Sequence, residues 1–175
     1  MSTKKSGSRA KISFRKFTME DVPLYYEWAE KPYIKNMWFQ PGYEPKEAII
    51  DKIKGSKLGV PFAILADNIP IGHIQYWSAT IDPSDIFPNE PKGTYGIDLF
   101  IGEESYLDKG YGTEIMQLFV GFLFDKIHAK KLIIDPDINN KRAIHCYEKV
   151  GFKYARTVND GVEDCYIMEQ YKTEG

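Results

Sequence analysis

The segment LDKGYGTEIM, which begins at Leu107, places two glycines one residue apart between a charged turn and a long apolar run. The run at 112–128 is apolar around most of its circumference, which predicts a helix buried on more than one side. A glycine-rich turn at a helix start gathers backbone N–H groups at the positive end of the helix dipole, as phosphate sites do. Lys109 would add a cation there, and Thr113 a hydroxyl donor. Taken alone, the glycines fit a plain turn as well as a phosphate site.

Strands and helices alternate along the chain. Alternating or short apolar runs predict strands at 11–17, 61–66, 69–77, 95–101, 131–134, 152–158 and 162–170. Helices are predicted after the N-cap residue Thr18, more weakly at 47–53, at 112–128, and between Asn140 as N-cap and Gly151 as the stop. Asp67 and Asn68 predict a hairpin turn. The expected fold class is α/β (α+β), with a mixed, mostly antiparallel central sheet flanked by helices.

Composition and charge narrow the classes of function. The formal charge of −2 gives no indication of nucleic acid or an anionic membrane as partner. The apolar stretches are shorter than the roughly 20 residues of a membrane-spanning helix. We predict a flexible basic tail at 1–10 and a single domain at 11–175. Cys146 and Cys165 are far apart and lack a histidine cluster, which favours free thiols in a cytoplasmic protein over a metal site.

A second segment, DPDINNKRAIHCYEKVGF at 135–152, follows the glycine turn by one helix and one strand. Together the two segments resemble the GNAT superfamily of acetyl-CoA-dependent N-acetyltransferases. The family pattern N-x-x-A-x-x-x-Y-x-x-x-G-F matches at Asn140, Ala143, Tyr147, Gly151 and Phe152. The pattern Q/R-x-x-G-x-G/A matches at its glycines, whereas Leu107 stands where Gln or Arg is usual. The resemblance implies a GNAT fold, acetyl-CoA (coenzyme A) as cofactor and cofactor contacts at Phe100, Ile101, Lys109, Gly110, Tyr111, Gly112, Thr113, Asn140 and Ala143.

Within the superfamily, three segments look like those of the bacterial aminoglycoside 6′-N-acetyltransferases. They are YGIDLFIGEESYLDKGYGT, IIDPDINNKRAIHCYEKVGF and EDCYIME. This resemblance implies that Asp98 handles the proton of the amine, that Asp135 lies in the antibiotic pocket and that Tyr147 lies near the thioester sulfur.

The residue types suit that chemistry. An amine that attacks a thioester must lose a proton, which a carboxylate such as Asp98 can accept. Backbone N–H groups near Phe100 and Ile101 could stabilise the oxyanion, and the phenol of Tyr147 could protonate the departing thiolate. Each residue also has a structural alternative. Asp98 could be a hydrogen-bonded strand residue, Tyr147 a core residue, and Asp135 a turn residue before a proline.

The substrate prediction depends on charge. Polycationic aminoglycosides call for several carboxylates around a cleft. An acidic loop carrying Asp82, Asp85 and Glu90 precedes the strand of Asp98, and Asp160 and Glu163 could add to the rim from the last hairpin. Trp38 could stack on a sugar, or simply pack. The substrate-binding residues predicted are Trp38, Asp82, Asp85, Asp98, Asp135 and Asp160.

Three hypotheses remain open from the sequence. The first is an aminoglycoside 6′-N-acetyltransferase acting on a small polycationic amine in the cytoplasm. The second is a GNAT enzyme for another amine, such as a hydroxylated lysine of siderophore synthesis or a protein N-terminus. The third is an acyl-CoA-binding module without turnover, against which the presence of both Asp98 and Tyr147 argues.

Overall fold

Seven strands form one sheet in the computed structural model, which describes residues 7–57, 59–81 and 86–174. The strands are β1 (Ile12–Lys16), β2 (Val60–Ala66), β3 (Ile69–Ser78), β4 (Thr94–Ile101), β5 (Lys131–Ile134), β6 (Lys153–Asn159) and β7 (Asp164–Tyr171). Their order across the sheet is β1-β2-β3-β4-β5-β7-β6. Strands β4 and β5 are parallel, and the other five neighbouring pairs are antiparallel. The predicted mixed, mostly antiparallel sheet is confirmed.

Five α-helices flank the sheet in the described residues. They are α1 (Val22–Glu30), α2 (Pro32–Trp38), α3 (Ala48–Ile53), α4 (Tyr111–Asp125) and α5 (Lys141–Val150). The predicted ends of α5 are confirmed, because the Asn140 side chain accepts a hydrogen bond from the Ala143 N–H at 3.2 Å and Gly151 has a φ of 116°. The hairpin turn is confirmed too, with φ values of 48° and 66° at Asp67 and Asn68. Helix α2 is an element that the sequence analysis missed.

The two faces of the sheet carry separate cores. Along β2, Phe62 and Ile64 pack on the face covered by α4 and α5, whereas Ala63 and Leu65 pack on the face covered by α1, α2 and α3. This alternation follows from the two-residue period of a strand. On β4, Phe100 belongs to the second face, so residues an even number of positions from it point the same way.

The N-terminal end of the described chain contacts α4. Arg9 and Ala10 both bond to residues near the start of that helix, whereas residues 1–6 of the predicted tail lie outside the described residues. Among the helices of the described ranges, none combines the length and apolar composition that crossing a bilayer requires.

Candidate active site

Strands β4 and β5 separate in the middle of the sheet. Their ladder pairs Thr94 with Lys131 and ends at Gly96 and Ile133, although β4 continues to Ile101. Beyond Gly96, the edge of β4 that faces β5 therefore lacks a strand partner within the described residues. Such a gap leaves backbone N–H groups available for another ligand.

The antiparallel pairing of β3 and β4 decides which N–H groups face this gap. The Gly102 N–H donates to the Ile71 carbonyl at 2.7 Å, and Thr94 accepts from the Ala79 N–H at 3.1 Å. Even-numbered residues of β4 therefore bond to β3, because the bonding direction alternates along a strand. The N–H groups of Leu99 and Ile101 point towards the gap, and that of Phe100 points towards β3. The geometry thus favours Leu99, which the sequence analysis did not name, over Phe100 as a backbone donor.

A cavity of about 300 Å³ opens at the gap and draws residues from both faces of the sheet. Eight of the sequence-predicted site residues line it: Trp38, Asp98, Phe100, Asp135, Asn140, Ala143, Tyr147 and Asp160. The predicted contacts at 109–113 lie instead around the start of α4. Asp82 and Asp85 lie outside the described residues.

Asp98 is half-buried on β4, opposite Gln75 of β3. The Gln75 side-chain amide donates a hydrogen bond of 2.8 Å to Asp98 Oδ2. Burial raises the pKa of Asp98 above its ordinary value, and the hydrogen bond from Gln75 and the positive charge of Lys52 offset only part of that effect. A carboxyl with a raised pKa is a stronger proton acceptor once ionised, as a general base should be.

Gly96 gives the Trp77 indole room beside Asp98. A Cβ at position 96 would lie 2.2 Å from the Trp77 ring, so any larger residue would displace the indole. The indole also acts to lower the pKa of Asp98 through a polar side-chain contact. Packing against Trp77 thus explains why a glycine stands two residues before Asp98 in the segment YGIDLFIG.

Lys52 is a buried cation in the cavity that the sequence analysis missed. Its side chain is 4% exposed, and its ammonium pairs with the Glu44 carboxylate. Lys52 comes from α3 and Glu44 from the segment before it, so neither shares a local motif with Asp98. Only the tertiary packing of α3 over the sheet brings the ammonium to the cavity.

Acidic residues dominate the charge of the cavity. Six carboxylates line it: Glu44, Asp98, Asp135, Asp137, Asp160 and Glu163. Lys52 is the single Lys or Arg among the described lining residues. His73 is neutral, because burial, with the nearby Lys52 charge, lowers its pKa to about 3. Burial, and then the charge of Asp98, raise the pKa of Asp135 well above its ordinary value. A cationic ligand would offset the repulsion between these acids and favour their ionised forms, so the cavity suits a ligand with several positive charges.

Tyr147 enters the cavity from α5. Its side chain is buried, its ring lies edge-on to Phe152 with centroids 6.2 Å apart, and its hydroxyl makes no hydrogen bond in the described part of the chain. Burial raises the pKa of Tyr147 above its ordinary value. The phenol therefore stays protonated near neutral pH and can act as a proton donor.

The glycine turn forms the start of α4, as the sequence predicts. Gly110 is the N-cap residue with φ of 80°, a conformation that L-residues rarely adopt. No side chain of the described residues caps the helix, so first-turn N–H groups remain open to an anion. Lys109 is exposed beside this turn. The Thr113 hydroxyl lies 3.5 Å from Cys146 Sγ, which directs it towards α5.

The sequence profile of the family described as "Acetyltransferase (GNAT) domain" matches residues 18–160. The chain belongs to this family.

The GNAT fold is confirmed by similarity to solved structures. The aminoglycoside N(6')-acetyltransferase type 1 of Klebsiella pneumoniae is 28% identical over 168 residues, which cover 87% of this chain and 79% of that protein. The aminoglycoside acetyltransferase AAC(6')-Ib in complex with coenzyme A and kanamycin is 29% identical, with a TM-score of 0.82 and coverage of 93% of this chain and 95% of that one. Its complex with ribostamycin and coenzyme A has 28% identity, a TM-score of 0.84 and coverage of 93% and 94%.

Glu90 does not belong to the acidic rim of this GNAT domain, contrary to the sequence expectation for its loop. Its side chain is 6% exposed and lies 2.8 Å from the Lys131 ammonium, which also contacts Glu169 at 3.3 Å. Arg156 completes the cluster and donates to the Ile86 carbonyl at 2.9 Å. Glu90 therefore anchors its loop to Lys131 on β5 and to Arg156 on β6, because a buried carboxylate needs a paired cation.

Asp160 is held mainly by its own hairpin. Its Oδ1 accepts from the N–H groups of Val162 and Glu163 at 2.7 and 2.8 Å, and the Tyr43 hydroxyl lies 3.3 Å from Oδ2. Burial alone would raise the pKa of Asp160, but these N–H donors outweigh it and the pKa is lowered. Asp160, Glu163 and Cys165 come within 4.8 Å of one another. Burial also raises the pKa of the Cys165 thiol.

Proposed function

We propose that this GNAT protein transfers an acetyl group from acetyl-CoA to the 6′-amine of aminoglycoside antibiotics. The observation that carries the proposal is the set of six carboxylates around a cavity that opens into the gap of the sheet. Aminoglycosides bear several ammonium groups, and charge complementarity of this kind favours their binding over that of neutral amines. The similar AAC(6')-Ib structures contain kanamycin or ribostamycin together with coenzyme A.

The residues present fit coenzyme A at two places. The open N–H groups at the start of α4, with exposed Lys109, suit its pyrophosphate. The gap beside β4 suits its extended pantetheine arm, since the N–H groups of Leu99 and Ile101 face it. Asn140 and Ala143, at the start of α5, line the same cavity. When bound, acetyl-CoA supplies a thioester whose acetyl group joins the substrate nitrogen as an amide while the carbon–sulfur bond breaks.

Three groups of the protein would support that transfer. Asp98 takes a proton from the substrate ammonium, directly or through a water, so that the nitrogen lone pair becomes nucleophilic. The Leu99 N–H, which faces the gap, donates to the oxygen on which negative charge develops, and the Ile101 N–H is left for the pantetheine arm. Tyr147 gives its hydroxyl proton to the departing sulfur, and its phenolate regains a proton as the substrate nitrogen loses its second one, directly or through water; Asp98 returns its proton to solvent. The products are an acetamide and a neutral thiol.

The partner in this proposal is a small polycationic amine, and the place of action is the cytoplasm. Acetyl-CoA is a metabolite of the cell interior, so an enzyme that consumes it works there. The two cysteines, Cys146 and Cys165, are free thiols, as is common in a reducing compartment.

A thiol-release assay with acetyl-CoA and a panel of amines tests the function. Kanamycin, which carries a 6′-amine, is expected to be acetylated, and an aminoglycoside with a 6′-hydroxyl in its place is expected to give no acetylation at that position. Small neutral amines should be poor substrates because they forgo the acidic cavity. Thiol release with a hydroxylated lysine or a peptide N-terminus but not with any aminoglycoside at millimolar concentration would refute the proposal.

Replacing Gln75 should shift the pH dependence of kcat/KM. Because Asp98 must be ionised to accept a proton, kcat/KM rises with pH through its pKa, which burial already raises. Gln75→Leu removes the 2.8 Å hydrogen bond that favours the ionised form, so we expect the acid limb to move to higher pH and activity to recover in alkali. Gln170→Leu is the matched control, because Gln170 lies on β7 and donates to the Val150 carbonyl. An acid limb unchanged by Gln75→Leu would contradict the assignment of Asp98 as base.

A further inference from the structure

Arg9 lies against the glycine turn that opens α4, more than 100 residues later in the chain. Its Nη1 donates to the Lys109 carbonyl at 2.8 Å, and its Nε to Glu114 at 2.9 Å. Its guanidinium carbon is 4.0 Å from the centroid of the Tyr111 ring. The Tyr111 hydroxyl in turn accepts a hydrogen bond from the Ala10 N–H at 3.0 Å. Two successive residues of the N-terminal segment are thus fixed to this turn.

The third nitrogen of the guanidinium remains available. Nη2 forms no hydrogen bond or ion pair with any residue in the described ranges, and it lies 3.6 Å from the position that a Cβ would occupy on Gly110. The Arg9 side chain is 48% exposed, so a ligand at the turn can reach it. The Nη2 group is therefore a hydrogen-bond donor held in a fixed orientation next to the open N–H groups at the start of α4.

The sequence gives an independent reason to look for a cation here. The GNAT pattern usually has Gln or Arg three residues before the first glycine, and this chain has Leu107. The acid in the first turn of α4, Glu114, would repel a phosphate at the helix start, and Arg9 is the group that pairs with it. A guanidinium matches the geometry of phosphate oxygens better than an ammonium does.

We propose that Arg9 is a cofactor-binding residue whose guanidinium contacts the pyrophosphate of coenzyme A and takes the place of the Gln or Arg absent at position 107. This inference rests on the proposed function, since that function supplies the ligand. It extends the cofactor site to a part of the chain that the motifs of the family do not include.

Calorimetric titration with coenzyme A tests the inference. Arg9→Met removes the charge but keeps a flexible apolar stem over Tyr111, and we expect it to weaken coenzyme A binding about 10-fold, the scale of one charge-assisted contact. Arg9→Lys should lie between Arg9→Met and the wild type. Lys35→Met is the matched control: it also removes one exposed cation from an ion pair, with Glu30 at 2.8 Å, and should bind coenzyme A as the wild type does.

Two further measurements separate a phosphate contact from a structural role. The KM for acetyl-pantetheine, which has no phosphate, should be the same for Arg9→Met and the wild type. A structural change that spread from the turn to the gap beside β4 would raise the KM for acetyl-pantetheine as well as that for acetyl-CoA. Binding of 3′-dephospho-coenzyme A should weaken about as much as that of coenzyme A if the contact is to the pyrophosphate. Loss of the effect with the 3′-dephospho form would contradict that assignment and place Arg9 at the 3′-phosphate.

The pair with Glu114 supplies the last control. If Arg9 binds phosphate, Arg9→Met should weaken binding in a Glu114→Gln background as well. A double variant that binds as tightly as Glu114→Gln alone would show that Arg9 only neutralises Glu114, and would overturn the inference. A wild-type protein that does not bind coenzyme A would contradict the proposed function instead, so the two failures are distinguishable.

Discussion

Asp98→Asn is expected to lower kcat for an aminoglycoside about 10³-fold, within the range for loss of a positioned general base. The amide is nearly isosteric with the carboxylate and can still bond to Gln75 of β3, so the fold should persist. It can neither accept the proton of the substrate ammonium nor attract its charge. We therefore expect KM for the aminoglycoside to rise together with the fall in kcat. Steady-state kinetics at saturating acetyl-CoA measure both.

Asp137→Asn distinguishes proton transfer from simple attraction. Asp137 lines the same cavity and accepts a hydrogen bond from the Asn139 N–H at 2.7 Å, which an amide oxygen can also accept. Its neutralisation should raise KM modestly and leave kcat near the wild-type value. Equal kinetic effects of the two substitutions would mean that Asp98 acts only by its charge.

Tyr147→Phe is expected to lower kcat about 10²-fold, as loss of a general acid does, while the dissociation constant of coenzyme A changes little. The substitution keeps the ring and its edge-on contact with Phe152, so the packing of α5 is retained. What is lost is the hydroxyl proton for the departing sulfur. An acetyl thioester of a more acidic thiol should therefore be less sensitive to the substitution, because its thiolate leaves without help.

Tyr25→Phe is the matched control for this change. Tyr25 is also a buried tyrosine of the cavity, but it lies on α1 and packs against Phe17 and His73. Its replacement should leave kcat within about twofold of the wild type, as for a group outside proton transfer. If Tyr147→Phe behaves like Tyr25→Phe while the chemical step limits the rate, Tyr147 is a packing residue.

The parts of the fold that could be predicted from the sequence are those set by local chemistry. Asn140 caps α5 with its own side chain, and Gly151 ends it in a conformation that glycine adopts readily. Asp67 and Asn68 both take positive φ in the hairpin. Each of these signals acts within a few residues, so it does not depend on the rest of the chain.

Helix α2 was missed because its stability comes from distant contacts. It has only seven residues, begins at Pro32 and has no side-chain cap among the described residues. The Tyr33 hydroxyl donates to the carbonyls of Ile101 and Gly102 at 2.9 Å, and Ile34 is buried in the second core. A segment this short is marginal by propensity alone.

The composition of the candidate site was predictable in part, for a similar reason. Asp98, Asp135 and Tyr147 lie in motifs, and the structure brings all three to one cavity. Gln75 and Lys52 reach Asp98 only through strand pairing and the packing of α3, which no local pattern encodes. For Glu90 the sequence indicated a charged residue but not its burial against Lys131, which depends on tertiary packing.

The acidic cavity also affects the cellular abundance of the protein, through its effect on stability. Because burial raises the pKa values of Asp98 and Asp135, their contribution to folding is most favourable at low pH and is lost as pH rises through those values. Without a bound cation, these two carboxyl groups therefore make the free energy of unfolding lower near neutral pH than at acidic pH. A polycation that binds only the folded state adds about 2.7 kcal/mol at 100 times its dissociation constant. Stability changes of about 1–2 kcal/mol alter cellular abundance several-fold. Under the proposed function, an aminoglycoside would therefore protect from proteolysis the enzyme that acetylates it.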